Sequence, residues 1–169
     1  MAFIDAIKEA LPDYAKDTKL NLDAVLLRST LDADVAMGCA VAALAATGNG
    51  KVLGVMLADA PVHAESAMTA ASIMAQNNVW YPFVEMAEDP SLKGLPAQLR
   101  MNAIANHGGT TKANFEAFSL AASIVGKCHF CVKAHYDTLK NSEGYTVEQL
   151  RDIGRIASVM NSVAKVLNG

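Results

Sequence analysis

Apolar residues recur at helical spacing along nearly the whole chain, and turn signals cut that pattern into helix-sized lengths. From Met1 to Tyr14, apolar and charged residues alternate with a helical period. Pro12 is placed to open a helix running to about Arg28, because proline at a first helical position gives up no needed hydrogen bond. Asp32 caps a predicted helix over Ala33 to Ala46, which Gly48-Asn49-Gly50 stops. Helical stretches follow over Lys51 to Ala60, ahead of Pro61, and over Ala64 to Gln76. Val79 to Ala87 either continues the latter past Asn77-Asn78 or forms a short helix of its own. Asp89-Pro90 and Gly94-Leu95-Pro96 mark a loop, Gln98 to Ala105 a short helix, and His107-Gly108-Gly109-Thr110 the clearest break. Lys112 to Val125 then reads as a helix capped by Thr110 or Thr111. Gly126 interrupts it, and Cys128 to Leu139 resumes the pattern. Thr146 and Gln149 form a capping box at the head of a last helix, Val147 to about Leu167.

Strand signals are thin. Val52 to Leu57 has the composition of a strand but no partner with period-2 alternation. The expected fold is all-α: one multi-helix domain over residues 1–169. Composition agrees, since 52% of the residues are hydrophobic and many are Ala, Leu or Met, all good helix formers. A weak internal echo links Ala71-Ser72-Ile73-Met74 to Ala157-Ser158-Val159-Met160, and Asp34–Ala45 to Asn114–Val125. An internal helical duplication and a chance likeness of alanine-rich helices both account for it. The net charge of −3 supplies no basic footprint for nucleic acid or an anionic membrane. The longest apolar run, Val35 to Ala46, falls short of the ~20 residues that cross a bilayer. The first residues lack the basic start and apolar core of a signal peptide. A soluble, cytoplasmic protein is expected.

The chain has three cysteines, an odd count for an extracellular disulfide framework. Cys39 lies alone in an alanine-rich run, where a cysteine is by default a small buried apolar residue. Cys128 and Cys131 form a close pair, which in a reducing compartment is more often redox-active or metal-binding than structural. On a helix, Cys128, Cys131 and His135 at i, i+3 and i+7 share one stripe. Cys128 falls at the helix start, where free N–H groups and the helix dipole favour a thiolate. His135 is one turn beyond Cys131, placed to accept or relay a proton. Glu116 lies on the preceding helix, and a bend at Gly126 brings it toward the same stripe. A carboxylate that orients a histidine is the usual third member of an activated nucleophile. Taken singly these residues are unremarkable: a helix histidine is usually a surface group and a helix glutamate a solvated one. Their conjunction with a cysteine pair and a glycine break is what points to chemistry.

Three other functions fit some of these features. One is a structural metal site on Cys128, Cys131 and His135 with Glu116, although structural zinc usually takes four Cys or His ligands in two pairs. Another is a general disulfide oxidoreductase without peroxide chemistry. The third is a silent or decarboxylase-like relative.

Glu116 followed by Cys128-x-x-Cys131-x-x-x-His135 resembles the motif of the AhpD-type alkyl hydroperoxidases, within the carboxymuconolactone decarboxylase-like superfamily. The resemblance implies an all-α fold assembled as a homotrimer, with no bound cofactor and no metal. It implies reduction of hydroperoxides, electrons from the lipoyl group of a lipoylated acyltransferase, and re-reduction of an AhpC-type peroxiredoxin. It makes Cys131 the peroxidatic thiol that becomes sulfenic acid and Cys128 the resolving thiol and proton donor. The pair then closes a Cys128–Cys131 disulfide, with Glu116 and His135 as the proton relay. Helix electrostatics alone favour Cys128 as nucleophile. The nearer base, His135, favours Cys131 and leaves an exposed Cys128 to resolve. The sequence departs from the family at one place: a second histidine is expected immediately before the second cysteine, where Phe130 stands. His129 is one place earlier, about 100° round a helix, so the expected relay has four members.

Overall fold

The computed structural model describes residues 1–168; Gly169, the last residue of the expected 1–169 domain, lies outside the described residues. Among the described residues there are nine α-helices, three short 3-10 turns and no strand. Helix α1 (Ala2–Ala10) buries Phe3, Ile4 and Ile7. Pro12 does not open α2 (Lys16–Leu26). It precedes a 3-10 turn, Asp13–Ala15, closed by the Ala15 N–H on the Pro12 carbonyl. Asp32 caps α3 (Ala33–Thr47) by accepting the Asp34 N–H at 3.0 Å. The helix stops at Gly48, whose φ of 77° is open to glycine without a Cβ penalty. Asn49 caps α4 (Gly50–Leu57), so the segment with strand composition is helical.

Helix α5 (Ala64–Ala87) runs unbroken through Asn77 and Asn78 and carries Pro82 inside it. Asp89 caps the short α6 (Pro90–Lys93). The helix expected over Gln98 to Ala105 does not form; only a 3-10 turn, Asn102–Ile104, is present. Gln98 adopts φ 53°, a left-handed conformation that a right-handed helix cannot contain. A third 3-10 turn, His107–Gly109, leads to α7 (Lys112–Gly126), capped by Thr111. Helix α8 (His129–Asn141) follows. Both halves of the capping box are made at the head of α9 (Val147–Val166).

Helices α3 and α7 lie against each other at the centre, with α5 and α9 packed on both. Every residue from Val35 to Leu44 is buried, as the continuous apolar run demands. Gly38 lets the two central helices close up: a Cβ there would sit 2.3 Å from the Phe118 ring. The succession of a 15-residue helix, a shorter helix and a long one occurs twice. It runs α3–α4–α5 (15, 8 and 24 residues) and α7–α8–α9 (15, 13 and 20), in keeping with the internal echo. One buried charge ties the periphery to the core. Asp152 of α9 accepts from the Thr30 N–H (2.8 Å) and hydroxyl (2.9 Å), from Arg155 (2.9 Å) and from Arg151 (3.3 Å). Burial opposes ionisation of this carboxyl, but these donors outweigh it and hold the pKa down to about 2. Among the described residues, no helix is long and apolar enough to cross a membrane.

Candidate active site

The site is built where α7 turns into α8 against α5. Gly126 ends α7, and a Cβ on it would lie 2.0 Å from the Asn78 side chain, so only glycine lets this end of α7 press on α5. Asn78 completes the contact by donating to the Ala122 carbonyl at 3.2 Å. Lys127 then takes φ 55°, reversing the chain into α8. Cys128 is the N-cap of α8: its Sγ accepts the Cys131 N–H at 3.2 Å. One of the free amides of the helix start is therefore aimed at the Cys128 sulfur. The same sulfur lies 3.8 Å from the Asn77 carbonyl of α5, within reach of an S–H donor when the thiol is reduced.

Cys128 and Cys131 are joined by a disulfide, with their Cα atoms 5.3 Å apart, inside the usual range. The expected exposure of Cys128 is corrected here. Cys128 is 0% and Cys131 3% exposed, because the α7–α8 turn folds the N-cap under α5 and does not leave it at an open helix end. A shallow concavity of about 280 Å³, lined by Lys127, Cys128, Val132, Lys133 and Tyr136, abuts the Cys128 side of the pair.

His135 and Glu116 meet as their spacing suggested. Nδ1 of His135 is 2.6 Å from Oε2 of Glu116, and both side chains are largely buried, at 16% and 15% exposure. A carboxylate can only accept, so this bond places a ring proton on Nδ1. Nε2 faces Met74 of α5, with Sδ at 3.2 Å. No feature of the sequence around Met74 marked it, since a methionine in an alanine-rich helix reads as core. His129 stays outside this arrangement: it is 85% exposed, with Nδ1 3.5 Å from Glu85. Phe130 stacks on Tyr81 with ring centroids 4.1 Å apart. Cys39 is buried in α3, where desolvation pushes its thiol far up. Among the described residues, no group of three or more His, Cys, Asp or Glu side chains is arranged to hold a metal ion.

Residues 90–169, which include Glu116, Cys128, Cys131 and His135, match the carboxymuconolactone decarboxylase family. The chain is 42% identical over 170 residues to the alkyl hydroperoxide reductase AhpD of Rhodospirillum centenum, covering 98% of this chain and 90% of that protein. It is 42% identical to the protein of the same name from Anaeromyxobacter dehalogenans, covering 99% and 91%. With that of Maricaulis maris the identity is 40%, covering 97% and 96%. The chain belongs to the AhpD-type alkyl hydroperoxidases. Its all-α fold is that of an AhpD-like domain.

Proposed function

We propose that this AhpD-type chain is a thiol peroxidase that reduces alkyl hydroperoxides through Cys131 and Cys128. The observation that carries the proposal is a closed Cys128–Cys131 disulfide at the head of α8, the helix whose His135 is hydrogen-bonded to Glu116 of α7. Its relatives' names supply the substrate class.

In this mechanism the proton of the Cys131 thiol passes to His135, whose Nδ1–H is held by Glu116. The Cys131 thiolate attacks the terminal oxygen of the hydroperoxide. An S–O bond forms and the O–O bond breaks, and the departing alkoxide takes the Cys128 proton to leave as the alcohol. Cys128 then attacks the Cys131 sulfenic acid. The S–S bond forms, the S–O bond breaks, and hydroxide leaves as water with the proton stored on His135. A dihydrolipoyl group on a partner acyltransferase returns two electrons by thiol–disulfide exchange. The reduced pair also passes electrons to the disulfide of an AhpC-type peroxiredoxin. No bound cofactor takes part, and the cycle belongs in a reducing compartment, the cytoplasm.

The assembly is a homotrimer in this proposal. It is supported by an exposed apolar stripe on α5, Val79, Phe83 and Met86, which a partner surface would cover. The test is peroxidase turnover of the purified protein with dihydrolipoamide or with thioredoxin as reductant. Sustained turnover with dihydrolipoamide is expected. Disulfide reduction of protein substrates with no peroxide consumption under either donor would replace the proposal with that of a general disulfide oxidoreductase.

A further inference from the structure

Helix α5 meets the site along one stripe. Met74, Asn77, Asn78, Tyr81 and Glu85 follow one another at spacings of three and four residues, which puts them on one face. The Asn77 carbonyl reaches the Cys128 sulfur, Asn78 meets Gly126 and the Ala122 carbonyl, Tyr81 stacks on Phe130, and Glu85 faces His129. Met74 opens this stripe and is 1% exposed. Its contact with His135, Sδ to Nε2 at 3.2 Å, is therefore set by how two packed helices align and not by a loose surface side chain.

The chemistry of the two atoms gives the contact a direction. A thioether has no proton to donate and is a weak acceptor. Nδ1 of His135 already carries a proton, held by Glu116. A neutral ring thus shows Met74 only a lone pair, and the sulfur gives it no hydrogen bond. Once Nε2 takes a second proton, the same sulfur accepts an N–H from an ionised donor, a bond stronger than its neutral counterpart. The sulfur favours the charged ring where burial opposes it. Glu116 of α7 is the charged group in ion-pair contact with this ring. On α8 itself, Lys133 and Asp137 pair with each other, and on α9, which also packs against α8, Arg151 and Arg155 are taken up by Asp152.

We propose that Met74 is a positioning residue of the proton relay: its sulfur receives the Nε2–H of the His135 imidazolium and so favours the protonated ring that accompanies the Cys131 thiolate. This rests on the thiol chemistry proposed above. In that step the S–H bond of Cys131 breaks, its electron pair stays on sulfur and the proton goes to His135. Glu116 then serves one ring nitrogen and Met74 the other, so the ring is held from both sides while it stores the proton. A leucine would fill nearly the same volume. What it lacks is the acceptor.

The test is the titration of His135 in the disulfide form, followed by NMR through its ring resonances. Neither peroxide nor a thiol takes part, so its failure is distinct from failure of the peroxidase proposal. In Met74→Leu the midpoint should fall by about half a pH unit, a roughly threefold loss of proton affinity. In the reduced protein, Cys131 alkylation by iodoacetamide at pH 7 should fall by a similar factor of about three, and recover at a pH where the thiol ionises unaided. Met56→Leu replaces a buried methionine of α4, which packs on α1 and α3, and should move neither reading. A packing role for Met74 predicts otherwise: leucine covers the ring as methionine does, and the midpoint stays where it was. Met74→Ile also lacks the sulfur and gives the same reading if the leucine variant does not fold. A His135 midpoint equal to or above the parent's would overturn the proposal.

Discussion

The division of labour between the two cysteines is open to direct test, because their surroundings differ. Cys128 holds a helix N-cap position and accepts an amide, whereas Cys131 lies within the helix, one turn before His135. If Cys131 is the peroxidatic thiol, Cys128→Ser should accumulate a Cys131 sulfenic acid that cannot close a disulfide and goes on to sulfinic acid. Cys131→Ser should leave Cys128 largely unreacted under the same mild pulse. Trapping with a sulfenic-specific reagent and mapping by mass spectrometry reads this out; an adduct only on Cys128 reverses the roles. The Glu116–His135 bond makes a second prediction. Groups that act as one unit give non-additive losses. Glu116→Gln and His135→Ala should each cut peroxide turnover by ~10²-fold, with the double variant little worse than the poorer single. Multiplicative losses would show that the two act separately.

At the scale of elements, the site depends on how closely α7 and α8 are pressed to α5. Gly126→Ala drives a methyl into Asn78, an overpacking that should destabilise by ~1–3 kcal/mol and slow turnover by displacing Cys128. A thermal melt unchanged from the parent's would mean that this contact gives way freely. Asp152 anchors the loop before α3, and its carboxyl is held down at about 2 against an ordinary 3.8. Its contribution to stability is therefore complete above about pH 4 and is lost as the pH falls through 2, worth about 2 kcal/mol for that difference. Urea melts of Asp152→Asn should show a deficit at pH 7 that narrows toward pH 2, and a constant deficit would assign the loss to packing.

The helices were legible in the sequence because caps and periodicity agree: Asp32, Thr111 and the Thr146–Gln149 box all perform as their spacing suggests. So was the meeting of Glu116 with His135, since the break at Gly126 fixes the α7–α8 turn. Three features were not. Pattern alone cannot foresee the left-handed Gln98 at the start of the stretch expected to be helical. Nor can it show the burial of Cys128 or the placing of Met74 on His135, which come from α5, remote in sequence.

For the whole molecule, α5 presents two faces at once. Met74, Asn77 and Asn78 look inward to the site. Val79, Phe83 and Met86, spaced i, i+4 and i+7, lie roughly opposite at about 100° per residue and are exposed. A stripe of this kind is too apolar to face water without a purpose, and a partner subunit burying it would need roughly 1,200–2,000 Å² of interface in all for stable association. In the proposed homotrimer, assembly and catalysis would be coupled through one helix, with the subunit contact fixing the outer face of α5 and so the position of Met74 and Asn77 on the inner one. A charge placed in the stripe, Phe83→Glu, should convert the homotrimer to monomer by light scattering, because an unpaired carboxylate cannot be buried there. The same variant should keep its helical circular dichroism and its thiol count while losing most peroxide turnover. A monomeric parent protein would remove the trimer from the proposal. A monomeric variant with full turnover would keep the trimer and show that the site on each chain works alone.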